Sequence, residues 1–425
     1  QGFELFLAGS AMMISRSVAR ALGAGRVSPA SRGIFSGLSP DADFVSKLQP
    51  SKETSAIPIF RIVDDKGVIA PGCELPFSVD EMLRMYKVMV QVTQVDHVMN
   101  SLQRQGRVSF YMTNSGEEAA QVGSVAALAA HDVIWPQYRE LGAFLYRGFT
   151  VQQIVDQCMS RESEPGKGRQ MPAHYCDANL NIQAVTSPLG TQIPQAAGAG
   201  YAFRVSGADR CGVAYFGDGA ASEGDFAVAL NFAATLQAQT IFLCRNNGWA
   251  ISTPVKEQYA GDGIAARGIA YGIWSIRADG NDLAAVYSAA KEARKICVEK
   301  GEPVILELMT YRRGHHSTSD DATRYRGPEG KMGQTGLEPL SRTRMLLEQA
   351  GVWSDKDESA LKDSTREEVM ECMRRAEAKK FAPIDDMFND VFATMTPHLE
   401  RQRQELHKHL EAHAGKYDLS KFSRG

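Results

Sequence analysis

The sequence predicts an α/β protein: a parallel sheet with helices on both faces. Three observations predict it. Short β-rich runs alternate with small-residue helical stretches across the middle of the chain, and such alternation builds parallel sheets, because each crossover lays a helix back over the sheet. Runs such as Val213 to Phe216 are apolar without a polar face, as in a strand buried on both sides. Finally, 425 residues with 44% hydrophobic composition can bury a large core without disulfide staples.

Taken in order, the elements begin with a basic leader. The chain opens on Gln1, and Met12 or Met13 is a plausible initiator. From there to Ser39 it carries Arg16, Arg20, Arg26 and Arg32, many Ser and Ala, and no acid. That is the composition of a mitochondrial transit peptide, so residues 1–45 are expected to be targeting sequence for the mitochondrial matrix. Residues 46–110 are expected to form an N-terminal arm and helix. The run at 58–69 suits a short strand pair around Asp65 to Gly67. Ser78 with Glu81 reads as a capping box, followed by a long helix with apolar residues at Met82, Met85, Val88, Met89, Val92 and Val95.

Residues 111–325 form the expected α/β domain. A helix is predicted over 117–130, a strand over 212–219, a helix over 222–237 capped by Ser222, and a strand over 240–247. A strand and turn follow over 272–282, then a helix over 283–300 and a strand over 303–313. Residues 326–425 read as a polar loop and then charged helices.

Charge narrows the function. With 47 Lys+Arg against 50 Asp+Glu, the net charge of -3 argues against nucleic acid or anionic membrane as the main partner. No apolar run reaches the ~18 residues of a membrane span. The seven cysteines show no C-x-x-C spacing and read as reduced thiols.

The chemistry concentrates at "YFGDGAASEGD" (215–225) and "RNNGWAIST" (245–253). A strand runs into Gly217-Asp218-Gly219, where glycines let the backbone approach a phosphate. Asp218 offers a hard oxygen to Mg²⁺, and the following helix start favours an anion. At the next strand end, Asn247 can add an amide oxygen and Trp249 a backbone carbonyl, freed from any ladder by the Gly248 turn. A lone Gly-Asp-Gly is a common turn. Strand, Gly-Asp-Gly, helix, strand, Asn-Asn is far narrower, and it resembles the diphosphate-binding motif of thiamine-diphosphate enzymes.

Further segments extend the resemblance. "WPQYREL" (135–141), "KGRQMPAHY" (167–175), "TSPLGTQIPQAAGAGYA" (186–202) and "YRRGHHSTSDDATRYR" (311–326) resemble the alpha subunits of 2-oxoacid dehydrogenases. "GAASEGD", "RNNGWAISTP", "GDGIAARG", "DGND" and "GHHSTSDD" are closer to the branched-chain members than to the pyruvate ones. The likeness runs from about Ile57 to the carboxyl terminus.

The resemblance implies the thiamine-diphosphate-binding fold and its roles, residue by residue. Tyr138, Arg139 and Arg245 would contact the diphosphate, with backbone N–H groups of Gly219 and Ala220. Ser187 and Leu189 would face the aminopyrimidine and thiazolium. His316 would approach the phosphate and the reacting centre as the catalytic group. Asp218, Asn247 and Trp249 would hold Mg²⁺; Thr186, Pro188, Thr191 and Gln192 would hold K⁺. Ser317 would be phosphorylated by a dedicated kinase, answered by a phosphatase. Departures are small: Asp218 stands where branched-chain members often have Glu, Trp249 where Tyr is usual, and Thr186 for a Ser. Gly327 replaces a second phosphorylated serine of some relatives.

The implied reaction is oxidative decarboxylation of branched-chain 2-oxoacids, with the acyl unit passed to the lipoyl group of a transacylase core. The family takes its activating glutamate from a second domain of similar fold. One diphosphate-type domain is legible here, so a beta subunit in an alpha₂beta₂ assembly is expected. The rival readings are a pyruvate or acetoin dehydrogenase alpha subunit, and a noncatalytic assembly subunit.

Overall fold

The computed structural model describes residues 56–327 and 338–424. The targeting segment expected over 1–45 lies outside the described residues, as do residues 328–337 of the polar loop expected over 320–340.

Helix α1 (Val79–Arg104) opens on the predicted capping box, with Ser78 and Glu81 each bonding the other's backbone N–H. Next come α2 (Glu118–Ala126), strand β1 (Val133–Trp135), α3 (Leu141–Tyr146), α4 (Val151–Cys158) and α5 (Gln192–Ser206). Then follow β2 (Gly212–Gly217), α6 (Gly224–Leu236), β3 (Thr240–Asn246) and the small strands β4 (Trp249–Ala250) and β5 (Thr253–Pro254). After α7 (Val255–Gln258) and α8 (Ala265–Ala270) come β6 (Trp274–Asp279), α9 (Leu283–Lys295) and β7 (Val304–Met309). The carboxyl-terminal part holds α10 (Pro339–Gln349), α11 (Asp355–Ala378) and α12 (Pro397–Ala412).

A five-stranded sheet has the order β1-β2-β3-β7-β6, and each neighbouring pair is parallel. Successive strand residues point to opposite faces, and both faces are covered. Val213, Tyr215, Leu243, Leu306 and Leu308 pack with Val286, Ala289 and Ala290 of α9. Phe216, Phe242 and Ile305 pack with Ile193 and Ala196 of α5 and Phe226 and Leu230 of α6. Each large side chain buried this way contributes ~1.5–3 kcal/mol. Small residues let α5 and α6 approach closely. The first core continues into Val95, Met99 and Leu102 of α1, and Val369 and Met373 of α11.

The 58–69 segment forms the expected strand pair, with a bridge between Val63 and Ile69. Its front end also lengthens the sheet: Phe60 bridges Ala278 in parallel, donating to the Arg277 carbonyl at 2.9 Å. Asp282 fastens this arm. Its carboxylate accepts from the backbone N–H groups of Ile62 and Val63, both at 2.7 Å, while capping α9 through Ala284 and Ala285.

The structure corrects the helix start predicted at Ser222. That residue lies in a short 3₁₀ turn, Ala220–Ser222, and α6 begins after Glu223, whose extended backbone makes it the cap residue without a side-chain bond. Glu223 takes φ -71° and ψ 146°, which separates Ser222 from the helix that follows. The sequence reading also lacks β1, which has only three residues, the helices α3, α4, α5, α7 and α8, and the two-residue strands β4 and β5.

Asp282 serves four buried N–H groups at once. Asp282→Ala is expected to lower stability by about 2–4 kcal/mol, since it removes a helix cap and strands buried donors. Asp282→Asn, which keeps one acceptor oxygen, should lose less. Denaturant unfolding followed by circular dichroism checks both.

Candidate functional site at the carboxyl ends of the strands

Parallel strands in register deliver the site. Gly217 pairs with Arg245 and Asn246 with Met309, so β2, β3 and β7 end side by side. Asp218, Asn247 and Arg312 follow at those ends. Ligands of open parallel sheets bind beyond this edge.

Asp218 is buried, and its Oδ2 accepts from Gln258 Nε2 at 2.8 Å. Burial, reinforced by the charge of Glu117, pushes its carboxyl above the ordinary range. No cationic side chain among the described residues forms a salt bridge with it. Next to it Gly219 is obligatory: a Cβ there would meet the Ala250 Cβ at 2.6 Å. Asn247 is also buried. Its Nδ2 donates to Glu117 Oε1 at 2.9 Å, and its Oδ1 accepts from the Trp249 N–H at 3.2 Å.

The Trp249 carbonyl is available for a reason other than the one predicted. Trp249 does lie in a ladder, opposite Pro254 in the β4–β5 hairpin. The Val255 N–H bonds the Gly248 carbonyl at 3.1 Å. Antiparallel pairs alternate between bonded and non-bonded, so the Trp249–Pro254 pair is non-bonded. The Trp249 indole packs on Tyr325, with centroids 5.5 Å apart.

The expected diphosphate ligands meet in one buried ion network. Arg245 pairs with Glu117 and with Glu140, the latter at 2.6 Å. Burial opposes its charge, but Glu140 and Glu117 outweigh burial and hold the guanidinium above its ordinary range. Burial raises the Glu140 carboxyl, and Arg245 resists that rise. Glu140 also accepts from the backbone N–H groups of Gln137 and Tyr138, at 2.9 and 2.8 Å, which fixes the turn carrying Tyr138 and Arg139. Arg139 lies 4.0 Å from Glu117 and donates to the carbonyls of Thr113 and His316. The Nε atoms of Arg245 and Arg312 are buried without a hydrogen-bond partner among the described residues.

Sequence reasoning missed Glu117, Glu140 and Arg312. Glu117 is fully buried, placed by Gly116, which takes φ +95° and where a Cβ would meet the Tyr311 carbonyl oxygen at 2.1 Å. The available signal was a Gly-Glu-Glu run entering an otherwise apolar helix.

His316 stands between two cations. Its Nδ1 lies 3.3 Å from Arg139 and 3.4 Å from Arg312. Guanidinium groups only donate, so Nδ1 accepts, and the neutral ring carries its proton on Nε2. Asp320 holds the His316 backbone N–H at 2.7 Å, and Tyr325 donates to the same carboxylate at 2.5 Å. Ser317 is buried in this loop, its Oγ 3.1 Å from that of Ser319, and lines a cavity of about 320 Å³ with Asp96, His97 and His315.

A second cluster lies at the start of α5. Thr186 Oγ1 and Thr191 Oγ1 are 3.0 Å apart, and Thr191 donates to the Pro188 carbonyl at 2.9 Å. Gln192 Nε2 donates to the Tyr215 carbonyl at 3.0 Å, leaving its oxygen for another partner. Ser187 and Leu189 are exposed, and Ser187 Oγ lies 2.8 Å from His174 Nε2.

Residues 86–385 match the family model of the dehydrogenase E1 component. The chain belongs to that family. Among curated relatives, the mitochondrial 2-oxoisovalerate dehydrogenase subunit alpha of Dictyostelium discoideum is 47% identical over 389 residues, 91% of this chain and 88% of the relative. The mouse protein of the same name is 46% identical over 388 residues, covering 90% and 88%. The Arabidopsis thaliana subunit alpha 1 is 46% identical over 358 residues, covering 84% and 76%. The branched-chain resemblance read from the motifs agrees with all three names.

The buried His316 ring makes a pH prediction. Burial first, then Arg139 and Arg312, lower it from 6.5 to about 4, so folding favours the neutral ring. Between those values the unfolded chain binds a proton that the folded chain refuses. Stability therefore falls as pH drops from 6.5 toward about 4, and this contribution is level below that. His316→Gln is expected to shrink the drop in melting temperature between neutral pH and the bottom of this window, measured on matched samples.

Proposed function

We propose that this chain is the alpha subunit of a mitochondrial branched-chain 2-oxoacid dehydrogenase and holds the diphosphate end of thiamine diphosphate through Mg²⁺. The observation that carries the reading is Asp218: a buried carboxylate without a cationic side-chain partner among the described residues, set beside Asn247 and Trp249 at adjacent strand ends. One carboxylate, one amide oxygen and one main-chain carbonyl are hard oxygen donors. They leave room for phosphate oxygens and water in the roughly six-fold shell of Mg²⁺. The thiamine-diphosphate-binding fold is the architecture that such a placement serves.

Each residue then has a task. Arg139 and Arg245, with the Tyr138 edge, bind phosphate oxygens, which suits the planar donor fork. The Gly219 and Ala220 N–H groups add uncharged donors where the backbone must come close. Ser187 and Leu189 orient the ring end. His316 holds a proton on Nε2 for donation, while Arg139 and Arg312 fix the ring. When bound, the cofactor supplies the nucleophilic carbon and electron sink for decarboxylation. Thr186, Pro188, Thr191 and Gln192 form an all-oxygen set for K⁺, which braces the turn before α5. The two hydroxyls already lie 3.0 Å apart.

The proposed assembly is alpha₂beta₂, with the beta subunit supplying the glutamate that faces the aminopyrimidine. The acyl unit passes to the lipoyl group of the transacylase core. Ser317 is the proposed kinase and phosphatase target. Ser317 lines the same cavity as Tyr111 and Thr318, and its Oγ lies 3.1 Å from that of Ser319. A phosphate adds nearly two negative charges there.

Purified alpha and beta subunits should oxidise 3-methyl-2-oxobutanoate and 4-methyl-2-oxopentanoate in preference to pyruvate. Higher kcat/KM for pyruvate overturns the substrate assignment. Calorimetry should show Mg²⁺-dependent binding of thiamine diphosphate by the wild-type complex and none by Asp218→Ala. A wild type that binds nothing makes this chain a scaffold. Ser317→Glu should lower activity and speed proteolysis at 314–326; unchanged activity and cleavage exclude the switch.

A further inference from the structure

Glu117 touches both a proposed phosphate ligand, Arg245, and a proposed metal ligand, Asn247. It is fully buried, its Oε2 takes Arg245 Nη1, its Oε1 takes Asn247 Nδ2 at 2.9 Å, and Arg139 Nε lies 4.0 Å from the same Oε1. From this geometry we infer that Glu117 is a positioning residue that fixes which end of the Asn247 amide faces the metal. The inference rests on the cofactor reading above and adds a residue to it.

Donors and acceptors decide the orientation of the amide. An amide has a donating end and an accepting end of nearly equal size, and only the accepting end can ligate a cation. A carboxylate accepts and does not donate. Glu117 Oε1 therefore captures the NH₂ end of Asn247 and excludes the flipped amide, which would set oxygen against oxygen. The Asn247 oxygen is left on the opposite side, where it accepts from the Trp249 N–H at 3.2 Å and is open to a cation. Arg245 in turn holds Glu117, because a buried carboxylate without a cation would be strongly disfavoured. Partners behind the ligands of a metal set their orientation in this way.

A specific substitution pattern follows. In Glu117→Gln the single oxygen goes to Arg245, which only donates. The NH₂ of the new side chain then faces Asn247 and pulls the amide oxygen inward, so an NH₂ group points at the metal. A carboxylate at 247 reads correctly against that NH₂ and still offers oxygen to the cation. Asn247→Asp should thus repair Glu117→Gln, although alone it sets two carboxylates together.

The test uses the complex of this chain with its beta subunit and Mn²⁺ as probe, followed by electron paramagnetic resonance with and without thiamine diphosphate. Wild type should take up Mn²⁺ in a thiamine-diphosphate-dependent way. Absence of that signal overturns the site reading and the inference with it. With wild type binding, Glu117→Gln should weaken Mn²⁺ about ten- to hundred-fold, and Glu117→Gln with Asn247→Asp should recover most of the loss. Equal binding by wild type and Glu117→Gln, or no recovery in the double variant, overturns the inference and leaves the site reading standing. If Glu117→Gln does not assemble, Asn247→Asp alone decides. It should melt below wild type through repulsion from Glu117, and an unchanged melting temperature overturns the contact.

Discussion

The site is built around charge that has been taken out of water. Arg139, Arg245 and Arg312 are each at most 2% exposed, and Glu117 and Glu140 are fully buried. Isolated, any of these groups would carry a desolvation penalty of several kcal/mol. Together they tolerate burial only in a narrow set of positions, because every guanidinium must meet an acceptor and every carboxylate a donor. That requirement dictates local backbone. Glu140 draws in the N–H groups of Gln137 and Tyr138, and Arg139 reaches the carbonyls of Thr113 and His316. The loop bearing His316 is thereby tied to the turn bearing Tyr138, although 177 residues separate Arg139 from His316.

The sheet makes this arrangement possible. Parallel strands in register present their carboxyl ends at one edge, and both faces are sealed by α5 and α6 on one side and α9 on the other. Sealing excludes water from the strands themselves, so polar side chains collect where the strands stop. Arg245 occupies the penultimate position of β3 and Asp218 the first position after β2. A shift of one residue in either strand would turn these side chains to the opposite face, and the apolar alternation on both faces resists such a shift.

Much of this was legible in the sequence, and the exceptions have physical causes. Strands β2, β3 and β7 carry apolar runs, β6 an alternating one, and helices α1 and α9 a helical period, and most of their ends fell near the expected residues. The cap at Ser222 misled because Ser is a good cap by type, whereas the extended backbone of Glu223 starts the helix one residue later. Strand β1 escaped notice because three residues carry no period. The closeness of Asp218, Asn247 and Trp249 was legible because each is tied to a strand end. Glu117 was not, since its role depends on Arg245 and Asn247, which lie 128 and 130 residues away. Local patterns report propensity and burial; a carboxylate that orients a distant amide leaves no local trace.

The exposure of Ser187 and Leu189, the residues proposed for the ring end, follows from the same contrast. The groups proposed for the phosphate end, Arg139 and Arg245, are buried and braced by charge, while Ser187 and Leu189 stand open on a turn where Thr186, Thr191 and the Pro188 carbonyl bond one another. An apolar side chain at the rim of a charged, water-excluding site gains nothing from solvent; its burial requires another surface. A dry decarboxylation site needs that side closed as well, because water weakens every electrostatic interaction within it. This chain supplies rigidity and charge at one end. The closing surface must bring apolar cover and a carboxylate at the other, which is what the proposed beta subunit contributes.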